Sequence, residues 1–339
     1  MKKILKVLGV VIILSFLLTV CVPVAATAAA KIVLKLGHTV QDDSAYNKGA
    51  VYFKELVKKY SDDEMDVTVY GNSQLGWERD MLEGLQLGTI DMCISATGPL
   101  AAFVPKFDIF NFPFLFKNID HILWFINEYP GLNEIKENAL EQRFKILAVR
   151  GSSFRIPFGK KFFTKPSDFK GVTIRLMDVP MHRDTYIAFG ADVTSTSFAE
   201  LYSALQMGVV DAAENSYTAI NAMKYSEVTS HITELPVLLG ANALVMSLKT
   251  WDSLSKEQQE TIQKAADEAW DYEDQITIEM DQESKQKLIK EGIKVQEDVN
   301  LTPFIDKLQP IYDKYASQSK YPEWIRQTIS DIMSKANEF

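Results

Sequence analysis

Cysteine is almost missing from this chain. Of its 339 residues only Cys21 and Cys93 carry a thiol. If the first thirty residues are removed, Cys93 stands alone, no intramolecular disulfide is possible, and the core must hold the fold unaided. Histidine is also scarce. His38, His121, His182 and His231 lie far apart in the chain, and no His/Cys set stands at metal-ligand spacing, so neither a metal nor another cofactor is expected. Nucleophile elbow, phosphate loop and Gly-rich dinucleotide turn are all absent, which argues against the common enzyme classes. Basic residues are outnumbered 36 to 45, for a formal net charge of −9. That balance argues against nucleic acid or an anionic membrane as the main partner. It does not exclude a small anionic ligand, which feels the few charges of its own pocket before the total.

Past residue 30 no stretch is long and apolar enough to span a bilayer, so the remainder reads as soluble. The first thirty residues differ from the rest. Lys2, Lys3 and Lys6 precede an apolar run from Val7 to Val22 and an Ala-rich exit ending at Ala30, the layout of a secretory signal peptide cleaved after Ala28 or Ala30. An exported, periplasmic or extracytoplasmic protein spanning 31–339 is therefore expected, three charges more negative than the full chain. Cys21 stands where a lipoprotein carries its lipidated cysteine, but Val20 precedes it in place of a small residue, which disfavours lipid anchoring.

From Lys31 the apolar residues alternate as Ile32, Leu34 and Leu36, predicting a strand that ends at Gly37. Tyr52, Phe53, Leu56 and Val57 then repeat at helical spacing, and Met65, Val67 and Val69 alternate again. Strand, helix, strand in that order predicts a parallel α/β sheet. The segment Leu85-Gln86-Leu87-Gly88-Thr89-Ile90-Asp91 returns as Leu205-Gln206-Met207-Gly208-Val209-Val210-Asp211. Each copy closes a helix with glycine and leads into a strand through aspartate, which suggests two lobes of similar construction. Phe198, Leu201, Tyr202 and Leu205 mark the buried face of the second helix. From Trp251 to Glu291 there is neither glycine nor proline, and Ser255 with Gln258 forms a capping-box pair. Ile262, Ala265, Ala266, Ala269 and Trp270 line one face of a helix of up to about 35 residues and roughly 50 Å, long enough to brace two lobes. Two shorter helices broken near Asp274 are the alternative.

Two arginines invite a functional reading. Arg155 ends Gly-Ser-Ser-Phe-Arg, and Arg175 ends Lys-Gly-Val-Thr-Ile-Arg, where alternation with Val172 and Ile174 turns it toward a cleft or solvent. A guanidinium is planar, permanently charged and matched to a carboxylate by paired N–H donors. An exposed surface ion pair is the rival account of either residue.

The residues around these arginines carry a resemblance. Gly171-Val172-Thr173-Ile174-Arg175, Phe189-Gly190-Ala191, Phe198-Ala199-Glu200-Leu201-Tyr202 and the run from Ala204 to Asn215 resemble the solute-binding subunits of tripartite ATP-independent periplasmic (TRAP) transporters, the DctP type. Asn72-Ser73-Gln74-Leu75-Gly76, Thr97-Gly98-Pro99-Leu100, Asn111-Phe112-Pro113-Phe114 and Lys249-Thr250-Trp251-Asp252-Ser253-Leu254-Ser255 extend it over nearly all of 31–339.

The resemblance implies an α/β, two-lobed periplasmic-binding-protein-like fold with a ligand cleft and a long helix spanning both lobes. Lobe 1 would comprise 31–152 and about 241–280, and lobe 2 would comprise 153–240 and about 281–339. It also implies a binding protein rather than an enzyme, handing a small carboxylate solute to TRAP permease subunits, with a monomer as the natural default. Arg175 falls on the family's carboxylate-clamping arginine, Arg155 on the arginine that assists it, and Asn215 on its cleft asparagine. Phe198 falls on an aromatic that packs on the ligand, Glu78 on an acid that meets ligand hydroxyl or amine groups, and Gly37-His38-Thr39 on a loop reaching the cleft. Core packing for Phe198, a solvated first-turn acid for Glu78 and a plain loop role for His38 are the competing readings. Trp77 beside Glu78 is read as packed rather than stacked on a sugar. The Ala-Ala-Glu-Asn-Ser stretch 212–216 departs from the Gly-Gln-Glu-Asn-Pro of many relatives and resembles members that bind sugar acids, favouring a hexuronate or aldonate over a C4-dicarboxylate or keto acid. An exported lyase or hydrolase on acidic sugars, and a receptor serving a sensor kinase, are the rival functions.

Overall fold

The structure is a computed structural model that describes residues 31–339; the expected signal peptide and Cys21 lie outside those residues. Strand β1 (Ile32–Gly37) buries Leu34 and Leu36 and exposes Val33, as its alternation predicts. The helix Ala45–Tyr60 follows, its first turn capped by the Ser44 hydroxyl, which accepts from the Asn47 N–H at 3.2 Å. Strand β2 (Met65–Tyr70) then lies parallel to β1 in full register, from Ile32 opposite Met65 to Gly37 opposite Tyr70.

Ten strands among the described residues make one connected sheet. After β3 (Met92–Ala96) come β4 (Phe144–Gly159), β5 (Thr173–Leu176), β6 (Asp192–Ser195), β7 (Ala212–Asn215), β8 (His231–Thr233), β9 (Leu238–Ser247) and β10 (Lys294–Gln296). Their order is β2-β1-β3-β9-β4-β7-β5-β6, with β8 also on β4 and β10 on β8. One lobe is built on the parallel set β2, β1 and β3, the other on the parallel set β6, β5 and β7. Between them run β4 and β9, paired antiparallel from Phe144 opposite Ser247 to Arg155 opposite Leu238. At Ile156 strand β4 leaves β9 and takes up β7, with Ile156 opposite Asn215. Arg155 is thus the residue at which a single strand passes from one lobe's pairing to the other's.

The sequence repeat is a structural repeat. The helix Glu78–Leu87 closes at Gly88 with φ +73°, and the helix Leu201–Met207 closes at Gly208 with φ +70°. The two aspartates then do the same work. The Asp91 carboxylate accepts the backbone N–H of Lys35 on β1, and Asp211 accepts that of Thr173 on β5, both at 2.9 Å. Each ties the start of a central strand to its parallel neighbour.

The glycine-free, proline-free stretch forms one uninterrupted helix, Lys256–Lys290, with the Ser255/Gln258 capping box in place and no break at Asp274. At a rise of 1.5 Å per residue it spans about 50 Å. Its apolar stripe buries Ile262, Ala266, Ala269 and Trp270 against the helix Ala45–Tyr60, where Trp270 meets Phe53 edge-on. Farther along, Asp281 accepts the N–H and hydroxyl of Thr218, which follows β7, so the helix grips both lobes. The C-terminal helices Gln309–Gln318 and Pro322–Lys335 also reach both sides. Tyr312 donates to the Pro113 carbonyl and Tyr129 to Asp331, while Lys314 pairs with Asp184. Assigning 281–339 to the second lobe alone does not account for these contacts.

A Cβ at Gly208 would meet nothing within 4 Å, so substitution there tests the left-handed cap without steric conflict. Gly208→Ala is expected to lower stability by about 1 kcal/mol through backbone strain alone, read as a lower urea midpoint with an unchanged slope.

Candidate functional site

The strand carboxyl ends of both lobes face one cleft, the usual place for a ligand in open α/β sheets. Its cavity of about 560 Å³ is bordered by Arg155, Arg175, Asn215, Glu78 and Phe198, five of the six residues singled out from the sequence. That volume lies within the range of small-molecule sites.

The two arginines have different surroundings. Arg155 Nε and Nη2 grip the two carboxylate oxygens of Glu214, and Nη2 also donates to the Glu214 carbonyl at 3.1 Å. The pairing follows from register, because Glu214 precedes Asn215 on β7 and lies diagonally across from Arg155 on β4. Burial works against the Arg155 charge, but the Glu214 carboxylate outweighs it and the pKa ends above the ordinary value. Arg175 lies one strand over, on β5, opposite Ala213 of β7. Its Nε and Nη2 donate to a single neutral acceptor, the Thr196 carbonyl, at 3.0 and 2.6 Å. No carboxylate among the described residues forms an ion pair with it, although only 4% of the residue is exposed. Burial dominates, Glu214 helps only from a distance, Arg155 repels, and the pKa is lowered. Arg175 borders the cavity, as alternation on its strand predicts, and its side chain is buried rather than solvated.

Around the Arg175 guanidinium stand polar groups with capacity to spare. The Asn215 side-chain oxygen accepts from the Ser216 N–H at 2.9 Å, which leaves its NH₂ group for the cavity. Glu78 accepts the Ala96 N–H at 2.7 Å. Burial raises its pKa, with the Ala96 bond and the positive charges of Arg155 and Arg175 pulling the other way. Phe198 borders the cavity on one side and packs edge-on against Tyr225 on the other, so it serves cleft and core together. It begins a 3-10 turn, and the α-helix proper starts at Leu201. Trp77 is 40% exposed at the cavity wall, not packed away as expected.

His38 is a correction. It is fully buried, its Nε2 lies 3.1 Å from the Asn47 side-chain oxygen, and its neighbours Thr39, Val40 and Gln41 border the cavity in its place. The β1 loop reaches the cleft with its backbone turned so that this ring packs inward. Burial lowers the His38 pKa, Asn47 and Asp42 opposing it, so the ring is neutral at pH 7.

Tyr46, Asn242 and Glu273 also border the cavity and were not singled out from the sequence. Glu273 lies on the long helix, 1% exposed, and burial together with the neighbouring Asp274 pushes its pKa up to about 8. A signal existed, since Glu273 and Thr277 continue the buried stripe of Ala266, Ala269 and Trp270 at helical spacing. Among the described residues no group of three or more His, Cys, Asp or Glu side chains is arranged to hold a metal ion, and Cys93 is a buried free thiol.

Residues 36–319 match the family model of bacterial extracellular solute-binding proteins, family 7, the DctP family. The chain belongs to this family. A solute-binding protein of Roseobacter denitrificans is 30% identical over 80% of this chain and 85% of its own. A TRAP periplasmic solute-binding protein from Polaromonas sp. JS666, solved with bound D-erythronate, is 30% identical, with a TM-score of 0.83 over 89% of this chain and 98% of its own. Another from a Bradyrhizobium species, in complex with D-galacturonate, is 27% identical, with a TM-score of 0.82 over 88% and 99%. The chain is thus a TRAP-type solute-binding protein and not an enzyme. Family 7 members of this kind work in the periplasm, and no helix among the described residues is long and apolar enough to cross a membrane.

The Arg155–Glu214 pair can be tested without any ligand. Glu214→Ala strands a buried guanidinium and is expected to cost about 3–5 kcal/mol of unfolding free energy. The double variant Arg155→Met/Glu214→Leu should recover most of that loss, and a double-mutant cycle by urea denaturation reads the coupling directly.

Proposed function

We propose that this protein captures a hydroxylated monocarboxylate, a hexuronate or related aldonate, in the cleft and delivers it to a TRAP permease. The observation that carries the proposal is Arg175: a buried guanidinium with a carbonyl for a partner and no carboxylate, at the wall of a cavity of ligand size. Burying such a charge is costly unless a counter-charge arrives, and a bidentate carboxylate is the group that fits it. Arg155 acts beside it as a second positive charge while it stays committed to Glu214. Asn215 and Glu78 offer hydrogen-bond partners for hydroxyls, and Phe198 and Trp77 offer apolar faces for a sugar ring.

This arrangement favours one carboxylate over two. A C4-dicarboxylate would carry its second charge into a cavity whose other arginines, Arg155 and Arg79, are already paired with Glu214 and Glu83. The Polaromonas and Bradyrhizobium proteins bind an aldonate and a uronate respectively, in agreement with that preference.

Binding would draw the lobes together about β4, β9 and the long helix, with the lobe boundaries near 152 and 240 falling inside the two crossing strands. Closure excludes water, and the Arg175–carboxylate pair strengthens as the local dielectric falls. Residues 1–30 would direct export and be removed, leaving a monomer that meets the permease in its closed form.

Thermal-shift and calorimetric titration of residues 31–339 with D-galacturonate, D-glucuronate, aldonates and C4-dicarboxylates tests the reading. Uronates or aldonates should raise the melting temperature most and be recovered unchanged. Arg175→Ala should weaken their binding by about 2–5 kcal/mol. Undiminished binding by that variant, or a response to neutral sugars alone, would contradict the clamp.

A further inference from the structure

Glu273 raises a question that the arginine clamp does not answer. It sits midway along the long helix, at the cavity border between the lobes. One carboxyl oxygen, Oε1, accepts from the Thr277 hydroxyl at 3.1 Å and the Asn242 NH₂ at 3.4 Å. The other, Oε2, is buried with no hydrogen-bond partner. Space has been cleared for this side chain, because a Cβ at Gly49 on the facing helix would come within 3.0 Å of both its Cβ and its Cγ. Asn242 is itself fixed, its oxygen accepting from the Trp270 indole N–H at 3.0 Å. Every donor that reaches Glu273 is therefore neutral, and all of them serve one oxygen.

The charged and titratable groups around it do not supply a counter-ion. Asp274 adjoins it on the same helix. Arg150, from β4, is held by Asp271 at 2.5 Å and by Asp274 at 3.1 Å. Tyr46, from the facing helix, is a neutral phenol whose pKa burial raises further, with Glu273 adding to the shift. Of the other charged groups that border the cavity, Arg155 is committed to Glu214, Arg175 donates to the Thr196 carbonyl, and Glu78 is a further carboxyl. A carboxyl group buried among neutral donors and next to another carboxylate retains its proton, as acids in apolar sites do.

We infer that Glu273 is a specificity residue of the cleft, a protonated carboxylic acid whose Oε2–H donates to a hydroxyl oxygen of the bound solute. The inference rests on the hydroxy-acid reading above and deepens it. Arg175 would recognise the carboxylate end of the solute, and Glu273, fixed to the helix common to both lobes, would recognise its hydroxylated end. A solute without hydroxyls would leave Oε2–H buried and unpaired, so the site would discriminate against it. No charge need move on binding, because the proton is already in place.

Two measurements on residues 31–339 test this. The first uses no ligand. A carboxyl that keeps its proton in the folded state and loses it when unfolded is neutral in both states below pH 4.5. As pH rises toward 8 the unfolded state alone ionises, so the folded state progressively loses relative stability, and the loss levels off above pH 8. Glu273→Gln removes that term, so its melting temperature should gain on wild type steadily from pH 5 to pH 8; parallel profiles would overturn the inference. The second is calorimetric titration with D-galacturonate and with cyclohexanecarboxylate, a ring acid without hydroxyls, at pH 7 and pH 9. Wild-type affinity for galacturonate should fall about tenfold between the two pH values and that of Glu273→Gln should change little, as expected for a group titrating near 8. Glu273→Leu should lose affinity for galacturonate and gain relative affinity for the hydroxyl-free acid. Equal pH profiles for wild type and Glu273→Gln, or unchanged selectivity in Glu273→Leu, would overturn the hydroxyl contact. If neither protein binds any uronate or aldonate at either pH, the substrate reading fails and the hydroxyl contact with it, while the ligand-free profiles still report whether Glu273 holds its proton.

Discussion

A guanidinium kept out of water without a counter-charge is the constraint around which this molecule is organised. Arg175 is surrounded by partners that are already taken or too weak to neutralise it. Glu214, the carboxylate that favours its charge most, is engaged by Arg155 through both of its oxygens. The Thr196 carbonyl contributes direction and a partial charge, not a full one. Such a site is expensive in isolation. It is tolerated because the strand that carries it is flanked by fully buried Ile174 and Leu176, whose burial contributes about 1.5–3 kcal/mol each. The sheet supplies the stability that lets the cleft hold this charge.

The second feature is which elements cross between the lobes. Strand β4 changes partner at Ile156, one residue after the arginine whose guanidinium ties β4 to Glu214 on β7. The long helix packs Trp270 and its alanine stripe on the first lobe and takes hold of Thr218 in the second. A cleft lined from both sides, crossed by two strands and bridged by the long helix and the C-terminal helices, has the architecture of a solute-binding protein. The exact pairing of Asp91 with β1 and of Asp211 with β5 gives each lobe the same internal brace, so that each parallel sheet presents its carboxyl ends to the cleft as a unit.

Much of this was readable before the fold was seen. Alternation in 31–37 and 65–70, the glycine-capped repeat and the absence of helix breakers after Trp251 are local signals, and each produced the element it announced. Arg155, Arg175, Asn215, Glu78 and Phe198 border the cavity because strand ends and helix starts are where α/β folds place their ligand contacts. His38 misled because a residue two positions beyond a strand can turn either way, and here the ring pairs with Asn47 inside the lobe. Which arginine lacks a carboxylate partner was not legible at all, since the Arg155–Glu214 pair depends on register between strands about 60 residues apart. Tyr46, Asn242 and Glu273 were missed for the same reason: they meet only when three distant elements pack. Even so, a glutamate that continues an apolar helical stripe was a visible irregularity.

In the proposed function a solute carboxylate completes Arg175. A crystal structure of residues 31–339 with D-galacturonate tests it most directly. The ligand carboxylate is expected within hydrogen-bond distance of the Arg175 guanidinium in a closed cleft, with Arg155 still on Glu214. A bound ligand whose carboxylate lies elsewhere, leaving Arg175 on the Thr196 carbonyl alone, would contradict it.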